Sequence, residues 1–382
     1  MLRDLLDSLI AGFQTRTHLY LLVTFITFAL AYYYRQIVEN PKLCCRKGKF
    51  HDFLLKHCST LHDQFKPILW CCESRMQTIM GLYLRSFIPR LQYKREVLQL
   101  ADGGEVFLDW LDEEEASIHK DPSTRPTILF LPGLTGNSQA EYLRVLCGQA
   151  KKLGYRSVVF NNRGTGDSKL LTPRTYCACN CEDLSEVVSH IKSKFPEAPL
   201  VGVGISMGSM ILFHYLRQMG CQSQMIAAML VSPIWNAFEG NKSSERPVVN
   251  RMFNHHLAQE LIRIVKGNEK LFEVNENIDF DRILKITTLI VGIRTTGRRS
   301  IRCGQFGEVN SAKAIRRIAI PLKEISESSH VAVLVTSRGG HIGFVDGLPF
   351  LQATYMERLF CQYVTAVFRH QDELAACFDH KE

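Results

Sequence analysis

With 382 residues, 46% of them hydrophobic, the chain is long enough to bury one large core with appendages, and its composition excludes a disordered polypeptide. Its net charge of +8 is modest, and the basic residues gather at Arg35, Lys42, Arg46, Lys47 and Lys49 instead of forming a stripe interleaved with aromatics, which favours anionic lipid headgroups over nucleic acid. Thirteen cysteines, an odd number that includes the adjacent pairs Cys44-Cys45 and Cys71-Cys72, argue against the spaced framework of a small secreted disulfide scaffold.

Residues 18–34 read HLYLLVTFITFALAYYY, an uncharged run at the short end of what a tilted transmembrane helix needs. Tyr32, Tyr33 and Tyr34 fall where an interfacial aromatic belt belongs. Ala29-Leu30-Ala31 mimics a signal-peptide cleavage site, yet the preceding leader is long and carries acids, and the apolar run continues past the cut. The expectation is a retained anchor within residues 1–40, and the basic excess on its C-terminal flank places the main body on the cytoplasmic side. Cys44 and Cys45, just past the anchor, are positions where acylation would fit.

Residues 41–92 show no clear period and read as an approach segment, whose Leu69-Trp70-Cys71-Cys72 suits either packing on the main domain or a membrane surface. From 93 to 370 the strand signals become regular. Residues 96–100 and 106–110, joined at Asp102-Gly103-Gly104, read as an opening hairpin. Further strands are expected at 127–131, 157–160, 200–203, 226–231 and 331–335, with helices at about 138–153, 182–195 and 207–219 between them. Such alternation predicts an α/β fold, a mostly parallel sheet covered by helices on both faces, with function at the carboxyl ends of the strands. Residues 234 to about 285 read as a helical insertion, a lid, and 371–382 as a C-terminal tail. Cys177-x-Cys179-x-Cys181 has no second pair at zinc-finger spacing and reads as ordinary thiols, so no metal and no cofactor is expected.

Chemistry concentrates at Gly204-Ile205-Ser206-Met207-Gly208, set between a buried strand and an apolar helix, the context of a nucleophile elbow. A serine hydroxyl there needs a base from the same sheet edge. His341, reached from the 331–335 strand through Gly339-Gly340, arrives in the right chain order, whereas His214, His255 and His256 read as helix or lid residues. The backbone N–H groups of Met207 and of Leu134, in the turn Leu131-Pro132-Gly133-Leu134-Thr135-Gly136, are the expected oxyanion donors. The third member of a triad is not evident. No aspartate lies between Arg282 and His341, and of the acids there Glu324 and Glu327 read as helix, which leaves Glu308 and, from the neighbouring strand end, Glu239.

Five motifs in order, Leu131–Gly136, Phe160-Asn161-Asn162-Arg163-Gly164, Leu171–Cys177, Gly204–Gly208 and Gly339–Phe344, make about residues 50 to 370 resemble the membrane-anchored α/β-hydrolase-domain lipases, closest to their phospholipase branch. That group includes a phospholipase acting on phosphatidylcholine and a monoacylglycerol lipase. The resemblance implies Ser206 as nucleophile, His341 as base and a membrane lipid ester, phospholipid or acylglycerol, as substrate. It also shows a departure. The family carries an Asp-Asp-Pro type turn after a strand that should separate Ile318–Pro321 from Leu322–Ile325, and here these pieces abut, while 285–305 lack the acidic and aromatic pattern found there. Two other readings stay open: an acyltransferase, from the His341-x4-Asp346 spacing, and a catalytically impaired pseudoenzyme or splice variant acting as a membrane protein.

Overall fold

Continuous apolar runs can be buried on both faces only at the centre of a covered parallel sheet. The computed structural model describes residues 2–112, 118–236, 240, 249–273, 320–347 and 352–378, and it places those runs at such a centre. Its strands are β1 (Lys42–Cys44), β2 (Lys94–Gln99), β3 (Glu105–Leu111), β4 (Thr127–Leu131), β5 (Arg156–Asn161), β6 (Leu200–Ile205), β7 (Ala227–Val231) and β8 (Val333–Val335). Six of them form one sheet in the order β2-β3-β5-β4-β6-β7. The β4–β5, β4–β6 and β6–β7 pairs are parallel, and the opening hairpin β2–β3 joins β5 antiparallel.

The helices are α1 (Leu2–Tyr32), α2 (Lys49–His57), α3 (Ser74–Ser86), α4 (Glu141–Lys152), α5 (Glu182–Lys194), α6 (Met207–Met219), α7 (Val249–Lys266), α8 (Glu269–Glu273), α9 (Leu322–Glu327), α10 (Tyr355–Arg369) and α11 (Gln371–Ala376). Side chains alternate across a strand, so β4 sends Ile128 and Phe130 to one face and Leu129 and Leu131 to the other. The first face packs with Leu143 and Leu146 of α4 and Phe360 and Val364 of α10. The second packs with Leu184 and Val188 of α5 and Ile211 and Leu212 of α6. Phe130 is fully buried against Phe360, and truncating it to alanine would cost about 3–5 kcal/mol.

Three expectations change. The strand before His341 is shorter than 331–335, and among the described residues it lies outside the main sheet: β8 pairs antiparallel with β1, Lys42 opposite Val335 and Cys44 opposite Val333. Among the described residues β7 is the outermost strand, and the Tyr363 hydroxyl donates to its Ala228 carbonyl at 3.0 Å. Second, the 41–92 segment is helical and packed. Phe53, Leu54 and Cys58 enter the core, while α3 buries Ser74, Gln77, Gly81 and Arg85 at helical spacing. None of those four is an aliphatic or aromatic residue, so hydrophobic periodicity could not reveal the helix. Third, Cys177 and Cys181 are free thiols, but Cys179 is disulfide-bonded.

A helix spanning Arg16–Ile37 is long and apolar enough to cross a membrane, with only 6% of its most apolar window buried. Its end is tied to the domain: Tyr33, Ile37 and Val38 pack with Cys72, and the Tyr33 hydroxyl donates to Pro67 O at 2.7 Å. Of the 234–285 insertion, α7 and α8 are described; Asn268 Oδ1 accepts from the Leu170 N–H at 2.9 Å, which sets these helices against the loop after β5. The strand-like stretch 287–293 lies outside the described residues.

Candidate active site

Only Ser206 separates the end of β6 from the start of α6, and the turn forces it to φ 54°, ψ −115°, a conformation an L-residue rarely adopts. The flanking glycines follow from contact distances. A Cβ on Gly204 would lie 2.6 Å from Ser209 Cα, and one on Gly208 would overlap the carbonyl oxygens of Leu131 and Pro132. The elbow is pinned to the sheet where the Ser206 N–H donates to Val231 O at 2.9 Å.

The structure brings His341 to this serine, Nε2 to Oγ 2.9 Å. The glycines on either side of it serve close approach: a Cβ on Gly340 or Gly343 would run into α3 at Ser74, Gln77 and Thr78. From α3, Thr78 Oγ1 accepts from the His341 N–H at 2.9 Å, and Arg85 Nη2 donates to Ile342 O at 2.5 Å. Gln77 is wholly buried; its Nε2 donates to Cys71 O at 2.6 Å and Val345 O at 3.0 Å, and its Oε1 accepts from the Val345 N–H at 2.8 Å. Ser232 Oγ, just after β7, accepts from the Ile342 N–H at 3.1 Å. Arg85 is buried too, and that desolvation pulls its pKa below the ordinary value.

Around Leu134 the turn is held by two phenols. Tyr142 Oη accepts from the Gly133 N–H and Tyr176 Oη from the Thr135 N–H, each at 2.9 Å, while the Gly136 N–H donates to Gly133 O at 3.0 Å. The Leu134 N–H is the one in residues 133–136 with no acceptor among the described residues, and the Met207 N–H likewise has none there. Gly133 lies against the serine, since a Cβ there would be 3.3 Å from Ser206 Cβ. Burial raises both phenols, Tyr176 to about 12, so each stays neutral and able to hold its N–H. Sequence reasoning quoted Tyr176 inside a motif without a role and did not single out Tyr142, Gln77, Thr78 or Arg85.

The loop after β5 is braced by charge. Arg163 pairs with Asp183 at 2.6 Å and Asp102 at 2.8 Å, and the Arg163 hydrogen bond holds the Asp102 carboxyl down at about 2. The candidate acids fare differently. Glu239 and Glu308 lie outside the described residues, and Glu324 and Glu327 sit exposed on α9. Asp346 is buried, pairs with Arg358 at 2.8 Å and accepts from the Tyr355 N–H at 2.7 Å, which engages its carboxylate at the start of α10. His214 is buried in α6, and His255 and His256 are exposed on α7. Among the described residues one cluster has metal-ligand chemistry, His57, His370 and Glu373, but the Lys56 ammonium already bonds both Glu373 oxygens, at 2.8 and 3.1 Å.

A strand-to-helix serine in contact with an imidazole, at the carboxyl edge of a mostly parallel sheet, defines the class of the α/β hydrolases. Residues 126–256 match the α/β hydrolase fold family. Over nearly its whole length the chain is similar to phospholipase ABHD3 of Mus musculus, 36% identical over 95% of this chain and 93% of that protein, and of Homo sapiens, 37% identical over 93% and 91%. It is more distantly similar to monoacylglycerol lipase ABHD2 of Mus musculus, 23% identical over 90% and 89%. The chain belongs to the α/β-hydrolase family, in the branch that contains these phospholipases.

Proposed function

We propose that the chain is a serine hydrolase cleaving acyl esters of membrane lipids, phospholipid or acylglycerol, from a bilayer to which its N-terminal helix anchors it. The observation that carries the reading is the 2.9 Å contact between His341 Nε2 and a Ser206 hydroxyl held in a strained turn. His341 takes the Oγ proton as Ser206 attacks the ester carbonyl, and the oxyanion forms against the N–H groups of Leu134 and Met207. Collapse expels the alcohol portion of the lipid, which takes the proton from His341. Water, deprotonated by the same imidazole, then releases the fatty acid and regenerates Ser206. The names of the relatives support a lipid ester, and the apolar helix over residues 16–37 supports an anchored enzyme with its main body on the cytoplasmic side, the side its basic flank favours. Helices α7 and α8 act as a lid over the strand ends.

The test is labelling by a fluorophosphonate and turnover of phosphatidylcholine and monoacylglycerol. Ser206→Ala is expected to abolish labelling and to lower turnover by about a millionfold, the scale of a triad knockout, without shifting the melting transition. Wild-type turnover in the alanine variant would overturn the serine mechanism.

A further inference from the structure

Helix α3 is amphipathic in the inverse sense. Its buried face carries Ser74, Gln77, Thr78, Gly81 and Arg85 against the His341 loop, whereas its exposed face carries Met76, Ile79, Tyr83 and Phe87. Those four recur at intervals of three, four and four residues, one stripe on the opposite side of the helix. Phe87 is 61% exposed and stacks edge-on against Tyr83, their ring centroids 5.0 Å apart. Just before α3, Leu69 and Trp70 add to the apolar surface, Trp70 with 62% of its area exposed. Several large apolar side chains exposed on one short stretch of a folded surface mark an interaction site.

Its position identifies the occupant. The segment between Pro67 and Cys72, which carries Leu69 and Trp70, is fastened at both ends to the last turn of the apolar span: Pro67 O accepts from the Tyr33 hydroxyl, and Cys72 packs on Tyr33, Ile37 and Val38. Exposed Lys66 and Arg90 flank the 69–87 stretch in the chain, and exposed Arg35 lies in the last turn of the apolar span. Apolar and aromatic side chains at headgroup level with basic residues nearby are the chemistry of an interfacial helix. We propose that Leu69, Trp70 and the outer face of α3 lie in the bilayer interface as a second membrane contact. This rests on the anchored-hydrolase reading and gives it a geometry: the lipid surface lies about 10 Å, one helix diameter, from the backbone of His341.

The full chain, reconstituted in phosphatidylcholine vesicles, tests this by comparing wild type with Trp70→Phe. The proposal expects part of the tryptophan emission to be quenched by dibrominated phosphatidylcholine and shielded from aqueous iodide, with that part absent from Trp70→Phe. Iodide quenching of Trp70 without lipid quenching places the patch in water and overturns the proposal. Shielding from both quenchers means a second protein surface covers it, which overturns it equally. In parallel, Ile79→Glu with Tyr83→Glu is expected to lower turnover of bilayer phosphatidylcholine about a hundredfold, about tenfold for each anchor side chain lost from the interface. Turnover of a water-soluble short-chain ester and fluorophosphonate labelling should stay within about twofold, as for exposed substitutions. An equal loss on both substrates makes the face structural and refutes the interfacial role. Because quenching needs no catalysis, an unlabelled Ser206 beside lipid-quenched Trp70 would sink the hydrolase reading and leave the membrane contact standing.

Discussion

Thr78→Val removes one hydrogen-bonding atom from beneath the proposed base while keeping the side-chain shape. Thr78 Oγ1 accepts from the His341 N–H at 2.9 Å and donates to Ser74 O at 3.0 Å within α3. Valine leaves the His341 N–H unmet in a half-buried site, at a cost of about 1–3 kcal/mol. The loop relieves that cost by moving, and a displacement on the order of 1 Å between reacting groups lowers rates by about a hundredfold. The expected result is therefore a fall of about 10- to 100-fold in single-turnover acylation by a fluorophosphonate, with a modest drop in melting temperature. Thr78→Ser restores the oxygen and should recover most of the acylation rate, which separates loss of positioning from loss of packing. A valine variant that acylates at the wild-type rate, or a serine variant as slow as valine, refutes the claim that α3 positions His341.

Tyr176→Phe strands the Thr135 N–H and frees the turn carrying Leu134; acylation should fall about tenfold, less than the roughly hundredfold expected for losing an oxyanion donor outright, as measured by burst kinetics with an activated ester. Asp102 titrates at about 2 in the fold because Arg163 hydrogen-bonds its charged form, against about 4 in an unfolded chain. Its contribution to stability is thus complete above about pH 4 and disappears as pH falls toward 2, so Asp102→Asn should flatten the acid limb of melting temperature against pH. Deleting residues 2–31, which spares the buried Tyr33 and Ile37, should make the protein extractable from membranes by an alkaline wash; retention in the washed pellet would exclude α1 as the sole spanning anchor.

Much of the fold was legible because its signals are local. The alternating residues of β2 and β3 with a glycine turn between them, the unbroken apolar runs of β4, β5 and β6, and the glycines around Ser206 each require a particular backbone whatever surrounds them. The glycine-bearing turn at residues 131–136 was visible for the same reason, but the phenols that hold it were not. Tyr142 and Tyr176 act through space on Gly133 and Thr135, from 9 and 41 residues away. Nor was α3, whose buried face is polar because it satisfies the backbone of a loop more than 250 residues downstream. Gly340 and Gly343 show their purpose only once α3 lies beside them, as points of close contact.

The loop bearing His341 takes much of its support from the N-terminal segment. β8 pairs with β1, Ser337 Oγ donates to Ile37 O at 3.2 Å, Thr78 and Arg85 hold His341 and Ile342, and Gln77 holds Val345. The sheet contributes through Ser232, one residue beyond β7. A base carried by a central strand would be fixed by strands on both sides, whereas among the described residues β8 pairs with β1 and no other strand. Residues 37–85 therefore do for the His341 loop what neighbouring strands would do elsewhere. Since the same stretch is joined to the apolar span at Tyr33 and turns an apolar face outward along α3, one helix would set both the position of the imidazole and the proposed contact with lipid.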